Sequence, residues 1–267
     1  MNHYEQLKDY RNPEDKLCLA QILDKIAFVQ KRNQIEATDF LDLSQLSLVE
    51  SFFRKIHFHN FQFFGGYEDA ERKIVFLYPD SYTPEMVQKN NSKFLKVLRI
   101  SFDSPQNPPY EHRVYLSGII KLGIRREKVG DILVRPDGAD LLIVSSMESI
   151  LPKELASLTR FRNATITIRP LEDLLQKEKT FEPLSIIVPS LRLDNLVSDL
   201  AKTSRSNANV LITSNLVFLN GKCDLKPSKQ VAPGDVITIR RKGKFIFREI
   251  EKTTKSGNLV LKIDRYC

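Results

Sequence analysis

The sequence predicts a multidomain α+β protein, on three observations. Apolar residues near the start recur at helical spacing and give way to two short strand-like runs. The middle of the chain reads strand, helix, strand, strand, helix, strand. From residue 183 onward a short helix–strand segment carries the whole positive excess of the chain. At 267 residues, 42% of them hydrophobic and 28% charged, the chain is long enough for two or three small domains.

The first domain, residues 1–79, is expected to be helical with a hairpin. From Glu14 to Asn33, Leu17, Leu19, Ala20, Leu23, Ile26, Ala27 and Val29 keep close to a 3.6-residue period, which predicts an amphipathic helix. Ser47 with Glu50 three residues on reads as a capping box for a second helix, with Val49, Phe52, Phe53 and Ile56 on its buried face. Phe61-Gln62-Phe63 and Ile74-Val75-Phe76-Leu77 then predict a strand pair around Gly65-Gly66, joined by a loop longer than a tight turn.

For residues 80–181 the pattern predicts strands at Leu95–Phe102, Ile132–Arg135, Asp140–Val144 and Ala164–Ile168, with helices near Glu111–Leu122 and Met147–Leu158. Gly123 stands where a helix C-cap takes positive φ, and Pro136-Asp137-Gly138 is a turn. This βαββαβ order is the split βαβ plan of ferredoxin-like domains and RNA recognition motifs. The strands offer mainly Leu, Val and Ile, so an aromatic base-stacking platform is not expected. Glu172, Asp173, Gln176, Lys177, Glu178 and Lys179, running on to Pro183, mark the next boundary. In residues 182–267, helices are expected at Leu191–Leu200 and Ser206–Ser214, then a strand at Val217–Leu219. Alternating Val236, Ile237 and Ile239 precede a basic turn.

Charge narrows the partners. Residues 1–182 hold 26 Lys+Arg against 26 Asp+Glu, whereas residues 183–267 hold 15 against 7. Such a surface attracts phosphate polyanions by counter-ion release, with membranes and acidic proteins as alternatives on charge alone. The longest apolar runs are too short for a membrane span, and Cys18, Cys223 and Cys267 form no C-x-x-C or zinc spacing. A cytoplasmic, reducing location is expected, with no metal and no cofactor. His57 and His59 could share a strand face, but no third ligand lies nearby in sequence. No G-x-G loop, G-x-S-x-G elbow or synthetase nucleotide signature occurs; His57-Phe58-His59-Asn60 is not one.

Five short motifs, in order, give the last domain a resemblance to the S4-like RNA-binding domain. They are Arg192-Leu193-Asp194, Ser204-Arg205 with Ala208, Leu211-Ile212, Val217 with Asn220-Gly221-Lys222, and Pro233-Gly234-Asp235-Val236-Ile237. Asn215 replaces the usual glycine, and Asn tolerates a left-handed backbone. The candidate RNA contacts are Arg192, Arg205 and Ser206 at two helix starts, where guanidinium forks and free N–H groups would face phosphates. Lys222, Arg240, Arg241, Lys242 and Lys244 would extend the same surface from the strands. Arg192 could instead pair with Asp194, and Phe245 reads equally as an exposed stacking ring or a core residue.

Thr38-Asp39-Phe40-Leu41-Asp42, the run Phe64 to Lys73 and the run Leu122 to Ile132, placed before an S4-like domain, resemble the YlmH family of bacterial RNA-binding proteins. The resemblance implies three parts with an RNA-recognition-motif-like middle. It also implies a ribosome-associated, non-enzymatic role on the large subunit with bound tRNA, in quality control of stalled translation. Partners are then rRNA and tRNA, with no DNA preference, no membrane, and a monomeric protein. Secondary contacts are Arg125, Arg126 and Lys128 in one family motif, and Arg72 and Lys73 beside Gly65-Gly66, a pair that reads otherwise as a plain turn. Two alternatives remain. Arg192-Leu193-Asp194 is similar to a pseudouridine-synthase motif, though residues 1–182 show no separate catalytic sheet domain. A cell-division accessory could use the patch on anionic lipid, but the amphipathic helix such binders add is missing.

Overall fold

The computed structural model describes residues 3–104, 110–175, 180–223 and 225–266. Gln176 to Lys179 of the expected boundary and Cys267 lie outside them. The chain divides into two compact units, Met1–Lys177 and Glu178–Cys267. Helix and strand both contribute to each, as an α+β class requires. No helix among the described residues is long and apolar enough to cross a membrane.

In the first unit, α1 (Pro13–Arg32) starts on Asn12, whose side chain accepts from the Glu14 N–H, and stops at Asn33 in the left-handed region. Its buried face is Leu19, Ile22, Leu23, Ile26 and Val29. Helix α2 (Leu43–Lys55) does have a capping box, but at Asp42 and Gln45, five residues before the expected pair. Starting there adds Leu46 to the face of Val49, Phe52 and Phe53, whereas a start at Ser47 would leave that packing unused.

Strands β1 (Glu36–Ala37), β2 (Phe61–Phe64) and β3 (Ile74–Leu77) form an antiparallel sheet in the order β1-β3-β2. All four residues of β3 are buried, and they alternate in allegiance. Val75 and Leu77 join the core of α1 and α2, while Ile74 and Phe76 join the core of a second sheet.

Two short helices, α3 (Pro84–Gln88) and α4 (Asn91–Phe94), lead into that sheet: β4 (Leu95–Phe102), β5 (Val129–Arg135), β6 (Gly138–Val144) and β7 (Ala164–Arg169). Its antiparallel order, β5-β6-β4-β7, is the split βαβ arrangement expected from the sequence, with α5 (His112–Lys121) and α6 (Leu151–Ser157) as the crossovers. Gly123 takes φ +72° after α5, and Pro136-Asp137 turns β5 into β6. Helix α6 is shorter than expected because Pro152, which lacks an N–H, is tolerated only in a first helical turn.

Register separates the two faces of this sheet. Leu98, Ile100, Leu141 and Ile143 lie on one; Leu95, Val97, Leu142 and Val144 lie on the other, the face an RNA recognition motif would offer to bases. Here Gly66, at φ +95°, sits against Leu142 so closely that a Cβ would approach its Cδ2 to 2.6 Å. The small sheet therefore covers this face, giving the layers helix, sheet, sheet, helix. At one end of this face, Asp140 is fully buried and accepts from Arg99 Nε and Nη2 (2.9 and 2.8 Å), from Arg135, and from the Leu175 N–H at 3.1 Å.

The second unit is a five-stranded antiparallel sheet in the order β8-β12-β11-β10-β9, made of β8 (Phe181–Val188), β9 (Val217–Leu219), β10 (Val236–Ile239), β11 (Gly243–Thr253) and β12 (Leu259–Tyr266). Helices α7 (Leu193–Leu200) and α8 (Arg205–Thr213) close one core with Ile237, Phe245, Phe247, Leu261 and Ile263. Strands β8 and β12 lie outside the sequence-based reading. Pro183 disguised β8, yet it is allowed because β8 is an edge strand.

Candidate nucleic-acid interface

Arg192 is the N-cap residue of α7, and Arg205 opens α8 behind its cap Ser204. Both guanidinium groups converge on the buried carboxylate of Asp194. Arg192 donates from Nε to Oδ1 at 3.1 Å and from Nη2 to Oδ2 at 2.8 Å. Arg205 donates from Nε and Nη2 to Oδ2 at 3.0 and 2.9 Å. The Arg192 hydrogen bonds, with those and the charge of Arg205, outweigh burial and hold Asp194 below the ordinary carboxylate range.

One carboxylate thus balances one of two positive charges, and it fixes both forks. Their outer edges stay in solvent, with side-chain exposures of 35% for Arg192 and 54% for Arg205. Arg192 is paired and still available at its rim. The expected free N–H groups are a correction. Leu193 donates to the Lys229 carbonyl (2.8 Å) and Asp194 to that of Pro227 (3.0 Å), so a returning loop has taken the first α7 donors. The Ser204 hydroxyl accepts from Asn207, and Ser206 is exposed on the first turn of α8.

Lys222 is exposed beside a turn in which Asn220 and Gly221 take φ of +52° and +77°. Asn220 donates to Asp235 at 2.7 Å and accepts from Val236, which links the Asn-Gly-Lys and Pro-Gly-Asp motifs. Exposed Arg240, Arg241 and Lys242 form the turn between β10 and β11, with Lys244 half-buried after it. Since Val217 pairs with Ile239 and Leu219 with Ile237, Lys222 and this turn lie at opposite ends of the β9–β10 pair. The structure does not gather them into one spot. Phe245 is inward and buried, so its stacking alternative falls.

The secondary cations of the first unit are largely engaged. Arg72 donates to the Phe40 carbonyl at 3.0 Å, and Arg126 to the carbonyls of Val129 and Gly130. Burial, with Arg72 nearby, pushes Arg126 down to about 10. Lys128 pairs with Asp39 at 2.8 Å and Arg125 with Glu127 at 3.0 Å, Arg125 remaining 64% exposed. Lys73 bridges Leu41 through its backbone. Asp131 accepts from the Tyr67 hydroxyl and from the N–H groups of Glu71 and Arg72, which clamps the glycine-pair loop onto strand β5. Gly65-Gly66 is accordingly a packed turn.

Sequence reading left out Phe181, Arg248 and Tyr266, because only strand pairing shows that they are neighbours. The sequence offers Asp194 as a partner for Arg192 or as part of a pseudouridine-synthase-like motif; its hold on Arg205 depends on the approach of two helix starts.

Residues 95–172 match the model of a putative RNA-binding domain in YlmH, and residues 191–237 match that of the S4 domain. The ribosome-associated protein quality control protein P2 of Bacillus subtilis is 27% identical over 94% of this chain and 95% of its own length. Small ribosomal subunit protein uS4 of Lachnospira eligens is 41% identical over 32% of this chain and 44% of its own. A solved structure, the cell division protein ylmH from Streptococcus pneumoniae, covers 62% of this chain and 98% of itself at 20% identity, with a TM-score of 0.48. The first unit thus carries a domain similar to the putative RNA-binding domain in YlmH and the second an S4 domain, so the chain is an RNA-binding protein that is similar, along nearly its whole length, to a ribosome-associated quality control protein.

Proposed function

We propose that this protein is a non-catalytic adaptor that docks on rRNA of the large ribosomal subunit and on bound tRNA in the quality control of stalled translation. The observation that carries this reading is the relative from Bacillus subtilis, named for ribosome-associated quality control, which aligns along 94% of the chain. Docking runs through Arg192 and Arg205, held as rigid forks by Asp194, with Ser206 beside them. Lys222, Arg240, Arg241, Lys242 and Lys244 add phosphate contacts on either side, and exposed Arg125 adds one from the first unit.

The protein works as a cytoplasmic monomer in three functional parts, residues 1–79, 80–181 and 182–267. Asp194 supports a binding role over catalysis in the Arg-Leu-Asp triplet. It is 1% exposed and accepts four N–H bonds, which leaves little of the carboxylate open to a substrate.

The test is co-sedimentation with isolated ribosomal subunits across a salt series, for wild type and for Arg192→Ala with Arg205→Ala. Wild type is expected with the large subunit, and the double variant should lose roughly 0.7–0.9 of log–log salt slope for each phosphate contact removed. Binding that survives both substitutions unchanged would place the contact elsewhere.

A further inference from the structure

We infer that the C-terminal sheet carries a second RNA contact on the face opposite its helices: a stacking site for unpaired bases, formed by Tyr266 and Phe181 with Lys244 and Arg248. It goes beyond the helix-borne docking, rests with it on RNA as the ligand, and reassigns Lys244 from a phosphate contact of that docking to the stacking site.

Register makes the case. Phe218 pairs with Thr238, Thr238 with Lys244, and Tyr266 with Phe181, while Phe245 opposite Arg265 sets Lys244 beside Tyr266. One residue from each of the five strands therefore lies in a single row. The neighbouring residues Ile237, Phe245 and Ile263 belong to the helix-covered core, so the row faces the other way.

Each aromatic ring of the row has a cation over it. Arg240 stands 5.7 Å from the Phe218 centroid, Lys244 4.6 Å from that of Tyr266, and Arg248 5.3 Å from that of Phe181. Phe218 is buried, whereas Phe181 and Tyr266 are half-exposed and meet edge to face at 5.0 Å. Rings with cations at their faces suit a nucleotide, whose base can stack while its phosphate meets the ammonium or guanidinium.

Charge favours a polyanion as the occupant. Exposed Arg240, Arg241 and Lys242 adjoin the row at the same end of the sheet. The nearby carboxylates Asp264 and Glu182 already pair with Arg248 and Arg265. An unpaired strand, unlike a duplex, can present its base faces to Tyr266 and Phe181.

The experiment uses the full chain and two labelled RNAs, an oligouridylate of about 12 nucleotides and a fully paired rRNA stem, with affinity read by anisotropy. Phe181→Leu with Tyr266→Leu keeps apolar bulk and removes the rings; it should weaken oligouridylate binding about tenfold and change stem binding less than about twofold. Tyr266→Phe should bind both RNAs as wild type does. Lys244→Gln with Arg248→Gln, which spares the rings, should flatten the oligouridylate salt slope by about 0.7 per contact. Wild type that binds the stem and ignores oligouridylate overturns the stacking site and leaves the helix-borne docking standing. So does unchanged oligouridylate binding by the leucine variant, or equal loss on both RNAs.

Discussion

The two large sheets of this protein are both antiparallel with helices on one face, and they differ in how the opposite face is built. In the first unit that face holds Leu95, Val97 and Leu142, is covered by a second sheet, and ends at a buried carboxylate held by two arginines. In the second unit it holds rings with cations above them. The same strand pairing thus gives a sealed layer in one case and a basic, aromatic surface in the other. A fold that elsewhere offers a base platform cannot be credited with one until its free face has been inspected.

Three changes sharpen that contrast, beginning with the largest. Asp140→Ala leaves Arg99 and Arg135, with side chains only 18% and 11% exposed, without their shared carboxylate. The first unit should lose about 3 kcal/mol, read as a lower urea midpoint for its transition. An unchanged midpoint would mean that this end of the sheet is not sealed at all.

Gly66→Ala places a Cβ 2.6 Å from Leu142 Cδ2 on a backbone at φ +95°. A loss of about 2 kcal/mol in the first unit is expected, measured by thermal unfolding, with the second unit unaffected. Wild-type stability would show that the two sheets are packed loosely.

The smallest effect is the response to acid. Asp140 is buried, which raises its pKa, but the Arg99 hydrogen bonds, the Leu175 N–H and the two arginine charges overcome this and lower it. Asp194 is lowered by Arg192 and Arg205. A carboxylate with a depressed folded pKa contributes stability above its unfolded value, and that contribution is lost as pH falls through the folded one. Urea midpoints of both units should therefore drop below about pH 4, by about 1 kcal/mol for Asp194, whose arginines are partly solvated. Variants carrying Asp140→Asn or Asp194→Asn should show a flatter acid limb; an identical limb would count against the pairings.

Much of this architecture was legible. Strand β4 runs over the expected Leu95–Phe102, and β9 over Val217–Leu219, because both are short apolar segments bounded by turn residues. Asn215 takes φ +56°, the left-handed conformation expected of it from the S4-like pattern. The start of α2 was misplaced because Asp42/Gln45 and Ser47/Glu50 both fit the capping pattern, and only Leu46 packing decides between them. At the site, the basic turn and the two helix starts could be read as charge and motif. The fate of the α7 N–H groups could not, since their acceptors Pro227 and Lys229 come from a loop more than thirty residues on. The row through Phe181, Lys244 and Tyr266 is likewise a product of register across distant strands.

Strand β3 has a consequence for how such a protein can be cut and recombined. Because Ile74 and Phe76 serve one core while Val75 and Leu77 serve another, a fragment ending near residue 79 would strip the second sheet of its cover and expose apolar surface on both pieces. The S4-bearing unit closes its core with its own helices and strands, so it can be inherited as a cassette. The likeness to uS4 is confined to 32% of the chain, whereas residues 1–177 form one unit tied together by the shared strand β3.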